Sequence, residues 1–201
     1  MSQQPESEGV QSLKAKHDNV PSTDDSSDSV DDELWTGERL KYYLPLHNAA
    51  KRGDWERAKS FIDHDPNALT AQITVDSQTA LHVAAYCCQW GFILKLLELL
   101  SSPESIAVQD EEGSTVLHYV AQGGSLKTAK ALVKKNAVLI QIVDSDGDPP
   151  LLSSISSAEN KELVWYLSLI TRVDSPTFPF FIPSLPRILY NLIQSGYYGK
   201  N

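Results

Sequence analysis

From Tyr42 onward the chain repeats one arrangement of apolar and polar positions. Four stretches align without gaps: LPLHNAAKRGDWERAKSFI, TALHVAAYCCQWGFILKLL, TVLHYVAQGGSLKTAKALV and PPLLSSISSAENKELVWYL. The position of His47 returns at His82, His118 and Leu152, at spacings of 35, 36 and 34 residues. Each copy carries a short stripe rich in small residues, then a turn, then a second apolar pattern at helical spacing. The pattern predicts a helix, a turn and a second helix per copy, and a period in this range predicts helix pairs stacked into a solenoid.

The recurring residues have mechanical reasons. Thr79 and Thr115 stand where a side-chain oxygen satisfies free N–H groups at the start of a first helix, and Pro45 and Pro150 fit a first helical turn, where no donor is lost. Ala49, Ala50, Ala84, Ala85 and Ala121 are small enough for the first helix to lie close against the second. Gly53 and Gly124 hold the helix-to-helix turn, where a left-handed residue is often needed. Cys88 shares their register, so the second repeat should have either a strained or a reshaped turn there. The segments DEEGST and DSDGDP read as tight turns with Gly113 and Gly147 in matching places.

These residues resemble ankyrin repeats over roughly 42–167. Within that class, the period, the opening LHNAAKRGDWERAKSFI and the unit DEEGSTVLHYVAQGG resemble the plant ankyrin proteins of the accelerated-cell-death type, which usually carry a C-terminal PGG membrane domain. The resemblance implies an all-α ankyrin-repeat solenoid. It divides into repeats at about 42–76, 77–112, 113–146 and 147–172, within an ankyrin region of 37–172. A Pro-rich linker and an incomplete fifth repeat, 173–201, follow; there Tyr190 falls on the histidine position and Gly196 on the turn glycine.

Charge separates the beginning of the chain from the rest. Of the net −9, residues 1–36 hold nine acids against Lys14 and Lys16, so −7 resides there and only −2 in the remainder. A serine- and acid-rich stretch with almost nothing to bury cannot recover its ordering entropy, so 1–36 is expected to be a disordered acidic tail. Within it, Ser22 and Ser29 each have an acid three residues on and suit an acid-directed kinase. No basic stripe invites nucleic acid. Adjacent cysteines and the lack of an N-glycosylation sequon point to a reducing, cytoplasmic setting, and no apolar run in the sequence is long enough to span a membrane.

Candidate chemistry resolves into architecture. A zinc site at His82, Cys87 and Cys88 fails because the thiols fall on other helix faces than the imidazole and no second ligand pair exists. His47 and His118 recur without cysteine, so the histidines read as side chains that bond backbone groups between neighbouring repeats. An EF-hand begun at Asp144 would place Pro149 and Ile155 where Gly and Glu are required. No nucleophile elbow, P-loop, dinucleotide fingerprint or zincin helix is present. The reading is of a protein that is not an enzyme and takes no cofactor, metal or small-molecule substrate.

What remains is a non-enzymatic protein-interaction module, an adaptor or scaffold whose concave face is made of turn tips and first-helix residues. The same register in each repeat nominates Asn48, Lys51, Arg52, Tyr86, Tyr119 and Gln122, and the turn tips add Glu111, Glu112 and Asp146. Tyr86 and Tyr119 are adjacent in the predicted stack and are the expected anchors. A rival reading follows from the resemblance: a truncated form or fragment of a plant plasma-membrane ankyrin/PGG protein in stress or defence signalling. Its repeats would lie on the cytosolic face, with membrane attachment only through a missing C-terminal segment or a partner.

Overall fold

Thr79 and Thr115 each stop the chain in an extended conformation and turn it into a helix. In the computed structural model, which describes residues 27–155, 160–171 and Tyr190, with side chains from Gly37 onward, these two are the N-caps of first helices. The helices pair as α1 (Ser27–Arg52) with α2 (Trp55–His64), α3 (Ala80–Tyr86) with α4 (Trp90–Leu99), α5 (Val116–Gly123) with α6 (Leu126–Lys135), and α7 (Pro150–Ile155) with α8 (Lys161–Ile170). First helices stack on first helices in the order α1, α3, α5, α7, and α4, α6 and α8 stack behind them. Among the described residues there is no strand, only an isolated bridge between Gln109 and Thr115. No helix there is long and apolar enough to cross a membrane.

The stack buries what the alignment marked. Ala49, Ala50, Ala84, Ala85 and Ala121 are at most 2% exposed, so the paired helices meet nearly backbone to backbone. Leu46, Leu81 and Leu117 fill the same layer from successive repeats, and Ile93, Leu96, Leu132, Leu163 and Leu167 close it from the second helices. Such burial is worth on the order of 2 kcal/mol per large side chain. It becomes available only when neighbours stack, which is why the architecture is a solenoid.

The first repeat departs from the expected start. Pro45 lies inside the long α1 and not at its first turn. Leu44 precedes it where later repeats place threonine, so nothing caps a helix there and the helix extends back to Ser27. Proline has no N–H, so one helical bond is missing inside α1. Pro150, by contrast, opens α7, where its missing donor costs nothing. The segment read as an acidic tail lies outside the described residues as far as position 26, and from Ser27 its backbone runs into α1. The side chains of Ser22 and Ser29, and the fifth repeat apart from an exposed Tyr190, also lie outside them.

The turn inside each helix pair is left-handed at one residue. Gly53 has φ +69°, Gly124 +81° and Cys88 +56°, so the second repeat keeps the turn and puts a side chain into it. The neighbouring repeat accommodates this in a residue-specific way. A Cβ on Gly53 would meet the amide of Gln89, and one on Gly124 the amide of Asn160. Those amides instead donate across the repeats, Gln89 to the Lys51 carbonyl and Asn160 to the Gly124 carbonyl. At the corresponding place beyond Cys88 the chain has the smaller Ser125, which caps α6 through its own Oγ. Cys88→Gly should therefore stabilise the protein by up to about 1 kcal/mol, since a side chain in this conformation costs roughly 1–2 kcal/mol. Urea denaturation checks it; a loss of stability would mean that the Cys88 side chain contributes packing that outweighs the strain.

Candidate interaction surface

Between second and first helices the chain makes a tip built the same way three times. Asp110 Oδ1 accepts from the backbone N–H groups of Glu112 and Ser114 at 3.1 and 2.9 Å. Asp144 Oδ1 accepts from Asp146 and Asp148 at 3.0 and 2.9 Å, and Thr74 Oγ1 accepts from Gln78 at 3.0 Å. Gly113 and Gly147 sit at φ +72° and +80°, and Ser77 occupies the same place at +59°. Asp144 thus spends an oxygen on its own turn, and among the described residues no group of three or more histidine, cysteine or acidic side chains could hold a metal ion.

Successive tips are tied to one another through the backbone. The Glu111 N–H donates to the Asp76 carbonyl at 3.1 Å, and the Ser145 N–H donates to the Glu112 carbonyl at 2.8 Å. This ladder fixes the main chain of the acidic residues and leaves the side chains of Asp76, Glu111, Glu112 and Asp146 exposed.

Behind the tips, histidines tie α3 and α5 to their caps. Thr79 donates its N–H to His82 Nδ1 at 3.2 Å, and Thr115 donates to His118 Nδ1 at 3.0 Å. An Nδ1 that accepts leaves the proton on Nε2. His118 Nε2 donates across to the Asp148 carbonyl of the following tip at 3.1 Å. His82 Nε2 faces the carbonyls of Ser114 and Val108 without a bond of ordinary geometry. His47 Nδ1 has no partner among the described residues, because Leu44 stands within the continuous α1 where a capping threonine would be. Burial holds both His82 and His118 below the ordinary imidazole range, His118 down to about 4.

Tyr119 joins this frame to the surface. Its hydroxyl donates to Asp110 Oδ2 at 2.6 Å and accepts from Gln78 Nε2 at 3.1 Å. Its ring stands edge-on to His82 with centroids 5.9 Å apart. Burial first, and then the bond to Asp110, push the phenol well above its ordinary pKa. Tyr86 packs against it at 6.2 Å and 78°, yet is itself 72% exposed. Gln122 borders the same space, a hollow of about 570 Å³ whose rim is Asp76, Glu111 and Glu112.

Five of the nine residues nominated from sequence thus come together here: Tyr86, Glu111, Glu112, Tyr119 and Gln122. Asp146 borders an adjoining hollow of about 360 Å³ shared with Glu111 and Glu112. Asn48 and Arg52 lie elsewhere, in a separate hollow with Arg57, Phe61 and His64 of α2. Lys51 is exposed at the end of α1, where its carbonyl receives the Gln89 amide. Asp76, Gln78 and Asp110 were missed by the sequence reading, although the Asp-x-x-Gly-x-Thr spacing shared in part by Asp110 and Asp144 marks that carboxylate as a turn-former.

Comparison with known proteins agrees with this architecture. Residues 85–175 match the family model for ankyrin repeats, described as three copies. The chain is 33% identical over 93 residues, 46% of its length, to a transient receptor potential cation channel subfamily A member 1 homolog of Caenorhabditis elegans. It is 35% identical over 85 residues, 42% of its length, to alpha-latrotoxin-Lh1a of Latrodectus hasselti and to alpha-latrotoxin-Lt1a of Latrodectus tredecimguttatus. The aligned stretch covers only 7% of the nematode protein and 6% of each toxin.

Proposed function

We propose that this chain, which is built of ankyrin repeats, is a non-enzymatic adaptor that holds a protein partner against the face made of its turn tips and first helices. Ankyrin repeats indicate a protein-interaction module. The observation that carries the choice of face is Tyr86: a large aromatic left 72% exposed beside the pinned ring of Tyr119. Aromatic anchors held in place before binding contribute most where little side-chain entropy remains to be lost.

The test is site-specific photo-crosslinking from Gln122, on the tip face, and from Lys127, exposed near the start of α6. A partner should crosslink from Gln122 and not from Lys127, and Tyr86→Ala should weaken its recovery at least tenfold, about 1.4 kcal/mol. A partner that crosslinks from Lys127 and ignores Tyr86→Ala would place the interaction on another surface. The narrower reading, a part of a plant plasma-membrane ankyrin/PGG protein in stress or defence signalling, is supported by the repeat period and the two motifs quoted above. It takes second place because the matched relatives are a nematode channel homolog and spider toxins.

A further inference from the structure

The hollow in front of Tyr86 and Tyr119 has a definite charge. Four of the side chains around it are carboxylates and none is basic. Asp110 is consumed internally, by the Tyr119 hydroxyl and two backbone N–H groups. Asp76, Glu111 and Glu112 are exposed, and none of the three is ion-paired among the described residues. Their backbones are tied into the tip ladder, which fixes the points from which these side chains extend.

From this geometry we infer that the partner presents an extended segment with two or more arginine or lysine residues, one of which lies on the Tyr86 ring while its charge meets Glu111 and Glu112. The inference rests on the proposed tip-face binding and deepens it. An acidic or phosphorylated segment would face four carboxylates. A purely apolar one would bury Asp76, Glu111 and Glu112 without compensation, at a penalty that ion pairing removes. Arginine suits the site best, because its planar fork pairs with carboxylates and its face stacks on an aromatic ring. A second basic residue is called for because three exposed carboxylates, Asp76, Glu111 and Glu112, border the hollow and a single cation leaves two of their charges uncompensated.

The experiment is selection of random twelve-residue peptides displayed on phage against the full chain, followed by fluorescence anisotropy with the selected peptides and variants. Three variants are compared: Tyr86→Ala; a tip triple of Asp76→Asn, Glu111→Gln and Glu112→Gln; and a tail triple of Asp24→Asn, Asp25→Asn and Asp28→Asn. The tip changes touch exposed side chains only, and urea denaturation of each variant verifies that the fold is kept. Enriched peptides should carry at least two arginine or lysine residues, bind at least tenfold more weakly to Tyr86→Ala and to the tip triple, and change less than threefold with the tail triple. Peptides that lack basic residues but depend on Tyr86 would overturn the basic partner and leave the tip-face reading intact. Peptides indifferent to both Tyr86→Ala and the tip triple would overturn both. Basic peptides that lose affinity with the tail triple and not with the tip triple would show attraction to the tail, and would overturn the inference.

Discussion

Gly113→Ala is expected to destabilise the protein by about 3 kcal/mol, while the same change at Gly147 is expected to cost about 1 kcal/mol. The two glycines occupy the same place in consecutive tips and have similar φ, +72° and +80°, so the conformational penalty of a side chain is common to both. Their surroundings differ. A Cβ on Gly113 would lie 2.8 Å from the Ser145 nitrogen and 3.1 Å from the Asp144 carbonyl carbon, which are backbone atoms that cannot swing aside. Nothing lies within 4 Å of the corresponding point at Gly147. Making room at Gly113 would push the third tip from the second and stretch the 2.8 Å bond from Ser145 to the Glu112 carbonyl. Parallel urea denaturation of the two variants isolates that contact. Equal losses would mean that the tips separate freely, and the ladder that fixes the main chain of the acidic residues would have no energetic weight.

The difference between those glycines marks how far the sequence could be read. Gly113 and Gly147 are identical on paper, and their shared φ follows from turn composition. That one is pressed against the next tip depends on the stacking distance, which no local pattern encodes. The second repeat illustrates the same limit. Ser77 adopts the left-handed conformation without being glycine, because Thr74 and Gln78 close the turn around it and the neighbouring tips hold its position. Register left Cys88 with either a strained or a reshaped turn, and its φ of +56° shows the first, since the repeat imposes its turn on whatever residue occupies it. Pro45 misled because proline fits a first turn and an interior with the same φ; only the absence of a cap at Leu44 distinguishes them. Tyr86 and Tyr119 were found by register, whereas Gln78 and Asp110, which hold Tyr119 from both sides of its hydroxyl, became visible only once the tip and α5 were brought together.

Lowering the pH from 7.5 to 5 should reduce stability by about 2 kcal/mol through His118 alone, with a further loss in the same direction from His82. Both imidazoles are buried, and burial holds His118 at about 4 in the folded chain, against about 6.5 when unfolded. A base whose folded pKa is depressed binds its proton preferentially in the unfolded state. Its stabilising contribution is therefore complete above about pH 6.5, declines as the pH falls from there, and is gone below about 4. The structural cause is the direction of the hydrogen bonds. Nδ1 of His118 must accept from the Thr115 N–H, and a proton placed there would set donor against donor at the cap of α5. Nε2 already carries the proton it donates to the Asp148 carbonyl, so the link from the third repeat to the third tip needs the neutral ring. The window between pH 7.5 and 5 lies above the ordinary range of carboxylates, so the slope there reports imidazole. His118→Gln should lose roughly 1–3 kcal/mol at pH 7.5, from a cap and a cross-repeat bond imperfectly replaced. It should also flatten most of the pH dependence, and His82→Gln together with His118→Gln should remove nearly all of it. Urea midpoints at the two pH values measure both effects. A wild-type midpoint that does not move between pH 7.5 and 5 would mean that His118 accepts a proton without breaking its cap, and the assignment of its two nitrogens would be reversed.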